Sequence, residues 1–297
     1  MDLDTLIITV FCEIDNEIAA LAAIRPIRQR GPAPRLHDSE VLTMEVVGEY
    51  LKLDTDVVIF QFFWRHYAAL FPALRQVHRT TFARQAANLW VVKERIWKRL
   101  LERMPLDPTL SIVDSVPVAV CRFGHAPSCR RFRGVASFGQ DVSSRATFYG
   151  LRCHLRVSAN GVVLALSMAP ANVPDAALVP ELAEGAHGMV LGDRAYWDPR
   201  LQAELAPAGI QLVAPFRKRS SDPTPDRSRV LNRVRRRIET TAGQLVEQYQ
   251  LKRVWARDLW HLTNRLLRKV LSHTLAAALN FTHHPDHPLQ ISRLITD

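Results

Sequence analysis

No stretch of this chain approaches the ~18 consecutive apolar residues of a membrane helix, so a membrane-spanning role is not expected. The opening Met1 to Asn16 carries Asp2, Asp4, Glu13 and Asp15 and lacks the basic start of a secretory leader. The expected location is therefore cytoplasmic, with no membrane partner. Cysteine is scarce: Cys12, Cys121, Cys129 and Cys153 do not make a disulfide framework, and no Cys-x2-Cys pair exists. Cys121, His125 and Cys129 fall at spacings of four, with Cys153-His154 further on, but buried thiols explain them better than zinc. Internal repeats and low-complexity segments are also absent.

Acidic charge is in deficit. The 297 residues hold 39 Lys+Arg against 29 Asp+Glu, a net charge of +10. The excess is concentrated. Arg217 to Arg257 holds 12 basic and 4 acidic residues, and Arg122 to Arg156 holds 7 and 1. The remainder is slightly acidic. A solvated basic face would look the same, but two basic segments near candidate acidic residues suit a nucleic-acid channel.

The first third reads as helical. A helix capped by Asp38 or Ser39 runs through Val41, Leu42, Val46 and Tyr50. An aromatic-rich stretch follows from Val57 to Phe71. A third helix runs from about Thr80 to Met104 and ends at Pro105 and Pro108. A boundary near Asp107 divides an all-helical N-terminal domain, 1–107, from a second domain, 108–297.

The second domain alternates strands and helices. Leu110 to Val113 reads as a strand ending at Asp114. Phe148 to Val157 and Val162 to Met168 read as a hairpin turned at Gly161. A helix capped by Asp175 follows. Met189 to Leu191 reads as a strand leading to Gly192-Asp193. Asp198 to Leu205 is a helix and Ile210 to Ala214 a strand. A polar loop spans Arg217 to Asp226. A long helix starts near Ser228 with Leu231, Val234, Ile238, Ala242 and Leu245 inward, and a last helix covers about Asp258 to Asn280. This order fits a central mixed sheet covered by helices.

Three carboxylates carry the chemistry. Asp114 and Asp193 each close an apolar strand, where open α/β sheets build their sites. Glu239 lies one step round from the apolar stripe of its helix, at the core margin. Arg235 shares its face, either as an i, i+4 partner or as a phosphate contact. Hard carboxylate oxygens suit two Mg²⁺ or Mn²⁺ ions, and two such ions can activate an attacking oxygen and stabilise the leaving one in phosphodiester chemistry. Spacing alone is weak, because 29 acidic residues offer many triples. Asp141, Asp175, Glu181 and Glu184 compete, and Asp175 is better read as a cap. His154 suits a phosphate or metal contact and a structural role equally. Tyr196 suits base stacking or packing. Trp255 and Trp260 read as packing residues, and His283, His284 and His287 as solvated.

The words around the three carboxylates are more specific. Ile112-Val113-Asp114-Ser115-Val116-Pro117, Gly192-Asp193-Arg194-Ala195-Tyr196 and Arg237-Ile238-Glu239-Thr240 occur in that order. They resemble the acidic motifs of DDE transposases from bacterial insertion sequences. So do Pro170-Ala171-Asn172-Val173-Pro174-Asp175 and Tyr149-Gly150-Leu151-Arg152-Cys153-His154, the latter with Arg where the family often has Gly-x-Lys-x-His. The resemblance covers about Ser111 to Asn280. It implies a ribonuclease-H-like mixed sheet flanked by helices, with the helical N-terminal region binding DNA ends.

The same resemblance makes Asp114, Asp193 and Glu239 the catalytic, metal-holding residues, Asp114 bridging two ions. It implies Mg²⁺ or Mn²⁺, terminal inverted repeats and target DNA as partners, and a homodimer or larger assembly. Arg152, His154, Arg194, Tyr196, Arg235, Arg236, Lys252 and Arg253 become candidate DNA contacts. The family's Tyr-x2-Arg-x3-Glu-x6-Lys signature is matched at Arg235 and Glu239. Asn232 stands at the Tyr position and Val246 at the Lys position. Alternatives are a nuclease of the same fold that does not transfer strands, and a non-enzymatic DNA-binding relic.

Overall fold

A computed structural model describes residues 1–28, 30–141, 144–216 and 222–295. It divides into two compact units, one of Met1–Met104 with Glu247–Asp297, the other of Pro105–Val246. The last helix thus belongs with the N-terminal helices, whereas the sequence reading placed it with the sheet.

The first unit is helical. Helices α1 (Leu3–Ile24), α2 (Asp38–Tyr50), α3 (Asp56–His66), α4 (Arg79–Asn88), α5 (Trp90–Arg103) and α9 (Leu259–His283) form it. The start of α2 is held by a reciprocal box between His37 and Glu40, so Asp38 is the first helical residue and neither it nor Ser39 is the cap. The single helix expected over Thr80 to Met104 is two, broken at Leu89. Helix α9 begins one residue after the expected start at Asp258, which caps it. Trp260 meets Trp90 edge-on at 5.7 Å between ring centroids. Trp260 thus packs on Trp90 while staying partly open to solvent, and Trp255 is exposed, which corrects its reading as a packing residue.

Helix α2 is buried on every side, so its Glu45 and Glu49 need charged partners. Lys93 reaches Glu45 at 2.5 Å, and Lys269 reaches Glu49 at 2.7 Å. Arg268 touches Glu49 at 2.6 Å, Asp56 at 2.5 Å and Glu45 at 3.3 Å. Burial works against the Arg268 charge, yet the three carboxylates outweigh it and hold its proton more tightly than usual. No helix among the described residues is long and apolar enough to cross a membrane.

The second unit is built on a six-stranded mixed sheet: β1 (Leu110–Ala119), β2 (Ser137–Asp141), β3 (Ala146–Ser158), β4 (Val163–Pro170), β5 (Gly188–Leu191) and β6 (Ile210–Val213). Antiparallel β4, β3 and β1 are followed by parallel β5 and β6, with β2 added beside the first half of β3. The first strand was read as four residues and is ten. Pro117 and the polar Asp114-Ser115 pair masked it, but pairing with β3 carries the strand through them. Asp114 is therefore inside β1 and not at its end. The parallel ladder with β5, however, stops at Ile112–Leu191, so Asp114 still lies just past the carboxyl end of that pair.

Helices cover the sheet. Val113, Val190 and Leu212 pack with Val179, Leu182, Leu201 and Leu205 of α6 (Val179–Leu182) and α7 (Pro199–Leu205). Residues along a strand alternate faces, so Asp114, next to Val113, points to the other side. There the long helix α8 (Pro225–Glu247) docks, with Ile238 buried and the Thr241 hydroxyl donating to the Gly161 carbonyl at 2.7 Å. This is the ribonuclease-H-like arrangement, a mixed sheet flanked by helices with a helical region before it.

Candidate functional site

Asp114 is held by two groups. Its Oδ1 accepts from the Ser115 backbone N–H at 2.8 Å, and its Oδ2 accepts from Arg235 Nη1 at 3.1 Å. Burial pushes its pKa up to about 6. The Ser115 hydrogen bond and the Arg235 charge oppose that rise, while the charges of Asp193 and Asp175 add to it. A carboxyl group so shifted is one whose charged form is poorly solvated where it sits.

Arg235 also donates from Nη2 to Glu239 Oε1 at 3.2 Å. One guanidinium therefore bridges the first and third acidic residues, one on β1 and one on α8. Of the two alternatives for Arg235, the i, i+4 pair with Glu239 is present, and the contact to Asp114 is one that the sequence did not suggest. Glu239 is the most open of the group, with its side chain 56% exposed against 26% for Asp114.

Asp193 follows β5 by two residues and caps the short turn Arg194–Tyr196, its Oδ1 accepting from the Ala195 N–H at 2.7 Å. Gly192 explains the preceding letter of that word. A Cβ there would lie 2.6 Å from the Tyr196 ring, so only glycine lets the ring fold back against the strand end. Tyr196 is fully buried in the core under α6 and α7, so its ring offers no face for a DNA base; it packs. Its hydroxyl has no hydrogen-bond partner, and burial followed by the charges of Asp175, Asp114 and Asp193 raises its pKa well above the usual tyrosine value.

Two other expected DNA contacts point inward. His154 is fully buried opposite Ser115 on β3, its Nδ1 3.8 Å from Asp175 Oδ1, and burial lowers its pKa. Arg152 is occupied by the sheet unit itself, donating to the Ser115 hydroxyl at 3.3 Å, the Ala171 carbonyl at 3.4 Å and the Gln140 carbonyl. Asp175 is not a helix cap. Pro174 holds that position, and Asp175 faces Arg152 and His154 with one oxygen buried and unpartnered. The Pro-Ala-Asn-Val-Pro-Asp segment was the signal that could have marked it as part of the site. Arg194 is half-buried beside Asp193, and Arg236 is exposed on α8. Lys252 and Arg253 lie in the helical unit, where Arg253 pairs with Asp54 at 3.2 Å.

Among the described residues no three His, Cys, Asp or Glu side chains converge closely enough to enclose an ion as they stand. The donor set nevertheless fits a divalent cation: hard carboxylate oxygens, a carboxyl whose pKa is raised, and a guanidinium already acting as the cation shared by Asp114 and Glu239. In this ribonuclease-H-like sheet Asp114 and Asp193 lie past the carboxyl end of the parallel strand pair, where open α/β sheets build their sites. A family model for the transposase DDE domain matches residues 107–258, just over half of the chain. The chain belongs to that family, and the domain is of transposase type. No curated protein and no solved structure matches it.

Proposed function

We propose that this chain is an active insertion-sequence transposase of bacterial origin. It binds the inverted repeats at an element's ends, cuts there and joins the freed 3′-hydroxyl to target DNA, acting in the cytoplasm as a dimer or larger assembly. Asp114, Asp193 and Glu239 hold Mg²⁺ or Mn²⁺ in this reading. The observation that carries it is the Arg235 bridge, which joins Asp114 to Glu239 across two elements beside Asp193.

When bound, divalent metal lowers the pKa of the attacking oxygen and screens charge on the phosphate. The chain's own residues do the rest. Asp114 would hold the cation as a carboxylate, the form that predominates above its pKa of about 6. Arg235, which donates to both carboxylates here, would be free to donate to a phosphate oxygen once a cation took its place. Ser115 fixes one Asp114 oxygen, leaving the other for the exchange. Residues 1–107, with the C-terminal helix that shares their unit, supply the end-binding surface, and 108–297 the catalytic part.

The test uses duplexes carrying the repeats that flank the gene, cut or pre-cut, with Mg²⁺. Cleavage of intact ends and joining of pre-cut ends to a plasmid support transposition. Cleavage without joining makes the protein a nuclease. Binding without either makes it a relic.

A further inference from the structure

Helix α8 carries more charge than the site uses. Its residues Arg229, Arg233, Arg236 and Arg237 are all exposed. At roughly 100° per residue, Arg229, Arg233 and Arg236 fall within one narrow stripe, with Arg237 on its flank. That stripe is opposite Ile238 and Leu245, which face the sheet. Arg229 pairs with Asp226. Arg233, Arg236 and Arg237 have no carboxylate partner among the described residues. Like charges three and four residues apart on a helix repel, so this face strains the helix that bears it. A polyanion laid along it removes the strain.

We infer that the outer stripe of α8, Arg229–Arg233–Arg236, is a track for the phosphate backbone of duplex DNA. It runs about 10 Å along the axis, given 1.5 Å per residue, enough for two or three phosphates of one strand. Glu239 lies one turn beyond Arg236, on the side of the helix that leads to Arg235 and Asp114. A strand lying on the stripe is therefore delivered to the acidic site. The guanidinium groups meet phosphates and not base edges, so the track sets register without reading sequence. The inference rests on the transposase reading only for the identity of the polyanion.

The test measures how the affinity of the full chain for an arbitrary-sequence DNA duplex falls with salt, in EDTA so that no cleavage intervenes. Substituting R229Q, R233Q and R236Q together is expected to flatten the log K against log salt slope by about 2.7, at about 0.9 per phosphate lost. The loss should be equal on repeat-bearing DNA. Gln is a good helix former and the change relieves repulsion, so the helix should persist by circular dichroism. The matching triple Lys variant should keep the wild-type slope. An unchanged slope in the Gln variant while wild type binds overturns the track alone, and so does a loss confined to repeat-bearing DNA. Wild type that binds no duplex overturns both the track and the transposase reading. Should the triple variant not fold, R233Q by itself must flatten the slope by about 0.9.

Discussion

Both units bury charge, and they do it in opposite ways. In the helical unit Glu45, Glu49 and Asp56 face Lys93, Arg268 and Lys269, and each of these six touches an opposite charge. In the sheet unit Asp114 is crowded by the charges of Asp193 and Asp175 and, like Glu239, is ion-paired with Arg235. In the first arrangement every charge meets an opposite one within the unit, although Glu45 Oε2 and Arg268 Nη2 lack a hydrogen bond. In the second, burial first and then the charges of Asp193 and Asp175 push the Asp114 pKa up to about 6, against the pull of Ser115 and Arg235. In the proposed reading, the paired charges of the helical unit are structural and those around Asp114 serve the reaction.

That contrast can be broken or sharpened by substitution. The largest effect should come from D114N. Cleavage of element ends should fall by at least about 10³-fold, on the scale of losing a main catalytic electrostatic group. Stability in EDTA should hold or rise, as denaturant melts will show, because a poorly solvated charge is gone. Removing a member of the paired network should do the reverse. R268L leaves Asp56 without its ion pair and strips Glu45 and Glu49 of one of their two cations each, and should cost about 3–5 kcal/mol of stability, read from urea unfolding. A smaller loss would mean the network is more hydrated than its burial implies. R235Q comes next. Cleavage should drop on the order of 10²-fold, while Mn²⁺ binding should not weaken, since the competing cation is removed. Weaker Mn²⁺ binding would show that Arg235 builds the site and does not merely occupy it.

The smallest effect is in pH. The Asp114 pKa in the folded chain is about 6, above its ordinary value of 3.8. The stabilising contribution of its protonated form is thus complete below about pH 3.8 and is lost as pH rises through about 6. In EDTA the stability gap between D114N and wild type should widen over that window and level off above it, at on the order of 2–3 kcal/mol. His273 in the helical unit has the opposite sign. Burial lowers its pKa to about 4, so its contribution is lost as pH falls below about 6.5 toward 4, in both proteins alike. A gap that does not change with pH would remove Asp114 as the source.

Much of this was legible in the sequence, for identifiable reasons. The strand end before Asp193 was legible because an apolar run stops there, and α7 was expected over Asp198 to Leu205 and spans Pro199–Leu205. Glu239 was placed at a core margin by helical period alone, and it sits next to buried Ile238. What failed were features decided by distant contacts. The length of β1 depends on pairing with β3. The affiliation of α9 with the N-terminal helices depends on Arg268 and Lys269 meeting α2. His154 and Tyr196 are polar residues whose burial no local pattern announces. Asp175 looked like a cap because it precedes a helix, while the fold turns it toward His154.

The central claim is that Asp114 and Glu239 form a divalent-cation site now bridged by Arg235. Electron paramagnetic resonance of free Mn²⁺, titrated with DNA-free protein at pH 7, tests it most directly. Wild-type protein should remove Mn²⁺ from solution, D114N and E239Q should each lose most of that binding, and R235Q should retain it. Equal Mn²⁺ uptake by wild type, D114N and E239Q would contradict the account.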